Sequence, residues 1–427
     1  MQNIAFIFPG QGSQYVGMGK DLCSKSKIAD ETFNEANQIL GYDLKKMCFE
    51  GPETQLMLTE FAQPALLTTS VAIYRTLEDL YEINPDIMAG HSLGEITALV
   101  CSGSLTFKEA LILVQKRGRL MQEAAKDIEP AMYAIIGLDI SIIEEEVGQT
   151  IYENKVSISN YNSPMQTVIS GERKILLEIT EKLASYGGKC VQVNVSAPFH
   201  SHYMKVAADC LLEDMKKVVF NKSTCKVLSN YTGEVYENDA EQLLYKQIFN
   251  PVQWTKCMSY LSESGIEMVI ELGAKKVLTG FVRKTYPQIT TLACENYDEI
   301  IRVKEEIQNY QNKKTIELNG IIFDILSKIL SIAVCIPNKN FDNLEYEKGV
   351  VLPYRKITQI YEECEARRDL NNNVNFAEVL KILKTIMMTK KIDEEEVRYR
   401  YKQLIEDTRI CDYISLQEIE DIILGSN

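Results

Sequence analysis

The stretch that most constrains this chain is residues 86–95, where a short apolar segment runs into Gly-x-Ser-x-Gly and then directly into a helical pattern. Small residues two positions either side of Ser92 remove the Cβ atoms that would clash in so tight a strand-to-helix turn, and the serine hydroxyl is then held clear of the backbone. The first turn of the following helix presents free N–H groups, led by that of Leu93, to any oxyanion formed there. The pattern therefore predicts Ser92 as a nucleophile.

Composition excludes several other classes of protein. With 427 residues, 45% of them hydrophobic and 25% charged, the chain is long enough for a globular protein with two or three cores. A formal net charge of -14 argues against a nucleic acid or an anionic membrane as the main partner. The eleven cysteines are scattered singly and away from the three histidines, which predicts neither a metal site nor a disulfide framework. With neither a basic leader nor an apolar run of roughly 18 residues, we expect a cytoplasmic protein.

The order of apolar and helical patterns predicts an α/β fold with three parts. Strands alternate with helices before residue 127 and after residue 197, which indicates a mostly parallel sheet covered on both faces. Between them, residues 131–195 follow the order strand, helix, strand, strand, helix, strand, which is typical of a ferredoxin-like unit. We therefore expect a large domain at 1–127 and 197–312, an inserted domain at 128–196 and a helical C-terminal extension at 313–427. The helical patterns of this extension cover 321–333, 355–366, 376–388, 394–405 and 416–424.

A serine nucleophile needs a base within hydrogen-bond reach, and the chain has three histidines to supply it. His91 adjoins Ser92, so its side chain points to the other side of the turn and is better placed to brace it. His200 and His202 lie on a loop between the predicted domains, and we favour His200 as the base. No acidic residue stands out as the partner of the imidazole, so a triad and a dyad held by a main-chain carbonyl are both open.

Two further segments carry polar groups suited to a site. The Gly-rich loop at residues 9–14 follows the first predicted strand but lacks both the lysine of a P-loop and Gly-x-Gly-x-x-Gly, so it predicts no nucleotide site. It does offer Gln11 as a hydrogen-bond donor. A long helical pattern opens with a capping box at residues 106–109 and contains Arg117 and Arg119; we interpret Arg119 as a solvated surface residue.

Six motifs occur in the order in which they are found in malonyl-CoA:acyl carrier protein transacylases, and the chain resembles this family over roughly residues 1–312. The motifs are Phe-Pro-Gly-Gln-Gly-Ser-Gln at 8–14, Gly-His-Ser-Leu-Gly-Glu at 90–95, Lys-Arg-Gly at 116–118, Asn-Tyr-Asn-Ser-Pro at 160–164, Pro-Phe-His-Ser at 198–201 and Asn-Pro-Val-Gln-Trp at 250–254. The resemblance implies an α/β-hydrolase-like large domain with a ferredoxin-like insertion. It also implies transfer of malonyl from malonyl-CoA to the phosphopantetheine thiol of an acyl carrier protein, for fatty acid synthesis, with no bound cofactor or metal.

The resemblance implies a role for each matching residue. Ser92 would carry malonyl as an ester, and His200 would act first as base and then as acid. Arg117 would bind the free carboxylate of malonyl through a two-pronged salt bridge, which lysine cannot match. The other roles are an oxyanion hole from the backbone N–H groups of Gln11 and Leu93, a main-chain carbonyl of Asn250 that holds the histidine, and substrate contacts from Phe199, His91 and Asn162.

Three alternatives share this fold. A free-standing acyltransferase that loads the carrier domains of a polyketide synthase would use the same chemistry. An acyl hydrolase needs no carboxylate grip, so Arg117 counts against it, and a non-catalytic scaffold would not need the serine, histidine and arginine together. The extension contains no Asp-Ser pair of the kind that bears phosphopantetheine in carrier proteins. We interpret it as a helical appendage for docking or dimerisation.

Overall fold

A computed structural model describes residues 3–149, 152, 154–237, 239–366 and 374–424. The chain divides into two compact units, Met1–Lys304 and Glu305–Asn427. The predicted start of the extension at residue 313 falls inside one helix, Tyr297–Cys335. The lysine pair at 313–314 does not interrupt this helix, because lysine is a good helix former and neither glycine nor proline lies there. The other domain boundaries stay predictions.

A five-stranded parallel sheet forms the centre of the larger unit. Its strands are β1 (Ile4–Phe8), β2 (Ile87–Gly90), β7 (Lys226–Val227), β8 (Met268–Leu272) and β9 (Thr290–Cys294), in the spatial order β7-β2-β1-β8-β9. Every residue of β1, β2 and β8 is buried, as expected for strands covered on both faces. Phe8 pairs in register with Gly90, so the loop after β1 lies beside the turn after β2. The carboxyl ends of these strands are where ligand sites form in parallel sheets.

A second sheet, antiparallel and four-stranded, lies within the same unit. Its strands are β3 (Pro130–Ile136), β4 (Val156–Ser163), β5 (Gln166–Glu172) and β6 (Lys189–Gln192), in the order β4-β5-β3-β6, with α8 (Ile140–Val147) after β3 and α9 (Arg173–Ser185) after β5. Apolar residues of these elements, including Ile135, Ile169 and Leu183, form a core of their own. This strand order is that of a ferredoxin-like unit, and the predicted fold class is confirmed.

The remaining helices of the larger unit cover the parallel sheet or connect its strands. They are α1 (Lys20–Lys25), α2 (Lys27–Leu40), α3 (Leu44–Glu50), α4 (Glu53–Leu56), α5 (Thr59–Leu80), α6 (Leu93–Cys101), α7 (Phe107–Glu123), α10 (Lys205–Met215), α11 (Ala240–Phe249), α12 (Trp254–Glu263) and α13 (Val277–Thr285). The predicted capping box opens α7, since the hydroxyl of Thr106 accepts from the backbone N–H of Glu109 at 3.2 Å.

The C-terminal unit is helical, as predicted. Its helices are the latter part of α14 (Tyr297–Cys335), α15 (Asn343–Tyr346), α16 (Leu352–Ala366), α17 (Phe376–Thr389), α18 (Glu394–Asp407) and α19 (Leu416–Leu424). The helical pattern predicted at 321–333 is the latter part of the longer helix α14. Large apolar side chains such as Ile325, Leu326 and Leu383 are fully buried in a core shared by these helices.

Helix α14 is long and apolar enough to cross a membrane by length and composition, with an 18-residue window of mean hydropathy 1.8. The sequence predicted no such stretch. In the structure, however, Ile325, Leu326 and Ile329 of this helix are buried in the C-terminal core. Burial against other helices is the ordinary place for such residues in a soluble protein.

Candidate active site

Ser92 occupies a strained turn between β2 and α6. Its backbone has φ 53° and ψ -100°, which a residue with a side chain rarely adopts. The turn is possible only because its flanking glycines lack side chains. A Cβ on Gly90 would lie 1.9 Å from the carbonyl carbon of Gly94, and a Cβ on Gly94 would lie 2.0 Å from the carbonyl oxygen of Phe8. The sequence prediction of a sharp strand-to-helix turn is confirmed.

The hydroxyl of Ser92 meets the imidazole of His200, with 2.7 Å between Oγ and Nε2. On the other side of the ring, Nδ1 lies 2.8 Å from the backbone oxygen of Gln247. A carbonyl only accepts hydrogen bonds, so Nδ1 carries the proton and Nε2 is free to accept from Ser92. Burial, together with the positive charge of Arg117, lowers the pKa of His200 to about 3. The imidazole is therefore neutral at physiological pH.

The expectation that Asn250 holds the histidine is wrong for the principal contact. Gln247 lies in the last turn of α11, where backbone carbonyls have no intrahelical donor and are open to another partner. The carbonyl of Asn250 makes only a smaller contribution, which raises the pKa of His200. The side chain of Asn250 donates instead to the carbonyl of Lys246 at 2.8 Å and so closes the end of the helix.

The small sheet fixes the loop that carries His200. The hydroxyls of Ser159 on β4 and Ser170 on β5 donate to the carbonyl of Phe199, at 2.7 and 3.1 Å. His200 itself has φ 56°, an unfavourable conformation that these buried contacts support. His202, the alternative base, lies on an exposed turn and does not line the cavity that contains Ser92.

Arg117 projects from α7 into the same site and is only 2% exposed. Its guanidinium donates to the side-chain oxygens of Gln63 and Gln247, at 2.8 and 3.0 Å, and to Oγ of Ser92 at 3.1 Å. Burial lowers its pKa to about 10, so it stays charged at neutral pH. Within the described part of the chain, Arg117 forms no ion pair, the charge of Glu95 acts on it only from a distance, and its Nε has no hydrogen-bond partner. A buried cation without an anion is a ready binding group for a carboxylate.

These groups open into a cavity of about 270 Å³ that is lined from both sheets of the larger unit. The lining includes the predicted residues Gln11, Leu93, His91, Asn162 and Phe199, together with Met121, Met132, Val168 and Phe281. Over the described residues, the backbone N–H groups of Gln11 and Leu93 have no intramolecular acceptor. The amide side chain of Gln11 donates to the hydroxyl of Thr59 at 3.2 Å.

His91 and Asn162 form a pair at the edge of the cavity. The amide nitrogen of Asn162 donates to Gln166 at 3.0 Å, so its oxygen faces Nε2 of His91, 2.8 Å away. Burial lowers the pKa of His91, and its ring lies against Trp254 with 5.9 Å between centroids. This arrangement is that of a residue that braces the turn. No group of three potential metal ligands occurs in the described ranges.

Three residues important to the geometry were not found from the sequence. Asn230 accepts from the backbone N–H of Ser92 at 2.6 Å and donates to the carbonyl of Gly90 at 2.7 Å, and so bridges the two sides of the turn. Gln247 contacts both His200 and Arg117. Glu95 is fully buried one turn after Ser92. Only Glu95 had a signal in the sequence, as the last residue of the motif at 90–95.

Comparison with known proteins agrees with this architecture. A model of the acyl transferase domain matches residues 5–319. The malonyl CoA-acyl carrier protein transacylase of Escherichia coli K12 is 42% identical over 69% of this chain and 96% of its own length. A Bacillus subtilis protein of the same name is 34% identical over 86% of this chain and 91% of its own length.

Solved structures of such enzymes superpose on the same region. The malonyl CoA-acyl carrier protein transacylase of Clostridium perfringens is 36% identical, with a TM-score of 0.69 over 72% of this chain and 98% of its own. A malonyl-transacylase in complex with a type II polyketide synthase acyl carrier protein is 37% identical, with a TM-score of 0.69 over 71% of this chain and 99% of its own. The chain is an acyltransferase and belongs to the malonyl-CoA:acyl carrier protein transacylase family.

Proposed function

We propose that the cavity transfers a malonyl group from coenzyme A to the phosphopantetheine thiol of an acyl carrier protein, through an ester on Ser92. In the first half-reaction, Nε2 of His200 takes the hydroxyl proton while Oγ of Ser92 attacks the thioester carbonyl. The negative charge that develops on that carbonyl oxygen would be met by the unpaired N–H groups of Gln11 and Leu93. When the carbon–sulfur bond breaks, the imidazolium returns the proton to the thiolate, and coenzyme A leaves as a thiol.

The second half-reaction reverses these steps with a different thiol. His200 removes the proton from the phosphopantetheine thiol of the carrier protein, and the sulfur attacks the ester carbonyl on Ser92. The ester bond breaks, Oγ recovers the proton from the imidazolium, and malonyl leaves on the carrier. Because donor and acceptor use the same site in turn, ping-pong kinetics are expected.

Arg117 is proposed to select the acyl group. Its buried charge has no carboxylate partner in the described structure, so a malonyl carboxylate would supply the anion that it lacks. Acetyl has no such group and would leave the arginine unpaired, and an unpaired polar group is what a site of this kind uses to reject an analogue. Phe199 beside the base would limit the room for a methyl branch on the acyl chain.

The observation that carries this proposal is that Oγ of Ser92 contacts both the imidazole of His200 and the guanidinium of Arg117. The test is intact mass measurement after brief incubation with malonyl-CoA. We expect a malonyl adduct on the wild-type chain and none on Ser92→Ala, with His202→Ala as a control that keeps the adduct. An adduct of equal yield on Ser92→Ala would overturn the proposed nucleophile.

Loading of a polyketide synthase carrier is a second candidate for the acceptor. One structural relative is a malonyl-transacylase in complex with a polyketide synthase carrier protein. We propose a cytoplasmic location and a docking or dimerisation role for residues 313–427. The two candidate acceptors are separated by measuring transfer to a panel of fatty acid and polyketide carrier proteins, with water as the control for hydrolysis.

A further inference from the structure

One residue, Gln247, contacts both the base His200 and the guanidinium of Arg117. Its backbone oxygen accepts from Nδ1 of His200 at 2.8 Å, and its side-chain oxygen accepts from Arg117 at 3.0 Å. Its amide nitrogen donates at 2.8 Å to the backbone oxygen of Ser92 and at 2.8 Å to a carboxylate oxygen of Glu95. Gln247 is 1% exposed, so water cannot replace any of these partners.

The carboxylate of Glu95 determines which way this amide faces. Oε2 of Glu95 also accepts from the backbone N–H of Asn230, so any proton on this acid lies on Oε1, toward Tyr236, and the nitrogen of the Gln247 amide must point at Oε2 and its oxygen at Arg117. If the amide were reversed, its oxygen would face a carboxylate and its two N–H groups would face a guanidinium that also only donates. Both contacts would then be repulsive in a buried site, where unpaired polar groups are costly.

Glu95 is itself held on every side. Besides Gln247, it accepts from the backbone N–H of Asn230 at 3.0 Å and from the phenol of Tyr236. It is fully buried, and it is connected to the proposed acyl site only by the residues that it contacts. It does not line the cavity. Its carboxylate would therefore act on the substrate through Gln247 and Arg117 and not by contact.

We propose that Glu95 is a positioning residue for acyl-group selectivity: by fixing the orientation of the Gln247 amide, it holds Arg117 where the free carboxylate of the acyl group binds. This inference rests on the proposed function, because it assumes that Arg117 binds that carboxylate. It explains a buried acid that the two half-reactions do not use. It also separates the two duties of Gln247, since the backbone oxygen that orients His200 does not depend on the amide.

The test is Glu95→Leu, which is close in size and removes the oxygen that accepts from the Gln247 amide. We expect the Gln247 amide to lose this anchor and to hold Arg117 less firmly, which raises KM for malonyl-CoA by about tenfold or more, the effect of losing a hydrogen bond to a charged group. The kcat should change much less, and kcat/KM for acetyl-CoA should not fall. The ratio of malonyl to acetyl transfer is therefore the decisive measurement.

Tyr236→Phe is the matched control, because it removes a hydrogen bond from the same carboxylate and leaves the carboxylate facing Gln247. It should keep the malonyl-to-acetyl ratio of the wild type. Gln247→Leu removes the amide but keeps the backbone oxygen, so it should reproduce the loss of selectivity, and combining it with Glu95→Leu should add little. If Glu95→Leu fails to fold, Gln247→Leu still tests the amide.

Two outcomes would overturn the inference. The first is an unchanged malonyl-to-acetyl ratio in folded Glu95→Leu or Gln247→Leu. The second is an equal loss of selectivity in Tyr236→Phe, which would mean that Glu95 acts only through general packing. Failure of the proposed function would look different, since the wild-type chain would then form no malonyl ester on Ser92.

Discussion

The interiors of the two compact units differ in what they bury. Around the cavity of the larger unit, Glu95, Arg117, His200, Asn230 and Gln247 are all at most 3% exposed, and three of them are ionisable groups whose pKa burial shifts far from its usual value. Burying such groups costs free energy unless every polar atom is paired. The larger unit thus gives up stability to hold a reactive arrangement in place.

The C-terminal unit buries almost only apolar side chains. Among its described residues, Asn340 and Lys390 are the buried polar ones. Lys390 donates to the carbonyls of Ala333 and Ile336 at 2.7 and 2.9 Å, and Asn340 donates to the carbonyl of Thr389 at 2.9 Å. These contacts satisfy carbonyls at helix ends and serve no cavity. Substitutions in the interior of the larger unit should therefore change chemistry, whereas those in the interior of the C-terminal unit should change stability.

The largest expected effect is on chemistry. His200→Gln removes the proposed base from a site where it is fully buried, and kcat for malonyl transfer should fall by about 10³-fold, within the range typical of general base catalysis. The free energy of unfolding should change little, because no charged group is lost at neutral pH. Steady-state kinetics and urea unfolding measure the two effects, and His202→Gln is the control. A His200→Gln enzyme with more than a tenth of wild-type kcat would contradict the assigned role.

The next effect is on stability alone. Leu383 on α17 is fully buried in the C-terminal core, and Leu383→Ala should cost about 2–5 kcal/mol of unfolding free energy for this unit because it leaves a cavity. Malonyl transfer to a free carrier protein should keep its wild-type rate at temperatures where the unit stays folded. Leu416→Ala, at a position 55% exposed, is the control and should cost far less. A parallel loss of activity in Leu383→Ala would break the distinction between the two interiors.

The contrast also explains which parts of the structure the sequence could predict. The turn at Ser92 follows from local backbone rules, and the α/β and helical patterns follow from the spacing of apolar residues, so both were found. The contacts of Asn230 and Gln247 join residues more than a hundred positions from Ser92. Nothing in the local sequence marks such residues, because an asparagine or glutamine that contacts a distant site can have the same sequence neighbours as one that faces solvent.

The two errors have local physical causes. Asn250 was chosen as the support of the histidine because a family motif contains it, but the last turn of α11 places the free carbonyl of Gln247 nearer the ring. The predicted boundary at residue 313 falls at the Lys313–Lys314 pair. A charged pair on the exposed face of a helix does not interrupt it, and α14 continues through these residues.

A third effect should appear in the pH dependence of stability. Burial lowers the pKa of His200 from 6.5 to about 3, so the unfolded chain binds the extra proton between these values and stability rises with pH there. Burial raises the pKa of Glu95 from 4.5 to about 7, so the folded chain binds the extra proton and stability falls as pH rises from 4.5 to 7. Between pH 4.5 and 6.5 the two slopes, each about 1.4 kcal/mol per pH unit, should oppose each other.

Single variants separate these opposing slopes. Relative to wild type, stability of the larger unit in His200→Gln should fall with rising pH between 4.5 and 6.5, and in Glu95→Gln it should rise. The neighbouring groups do not reverse these signs. The pKa of Arg117 is about 10, and burial raises the pKa values of Tyr236 and Cys257, so these three groups do not titrate in this range. Burial lowers the pKa of His91, so His91 adds to the slope that His200 causes. Urea unfolding at several pH values measures the slopes, and identical slopes in both variants would refute the assignment.

The smallest expected effect concerns the buried charge of the C-terminal unit. Lys390→Met keeps the length of the side chain but leaves the carbonyls of Ala333 and Ile336 without their donor, while it also removes the cost of burying an ammonium. These effects oppose each other, so we expect a loss of only about 1 kcal/mol, the usual net value of a hydrogen bond. Lys391→Met, at the exposed neighbouring position, is the control, and urea unfolding is the measurement. Transfer activity should not change in either variant. A large fall in kcat for Lys390→Met would mean that this lysine serves the reaction and that the second interior, like the first, buries polar groups for chemistry.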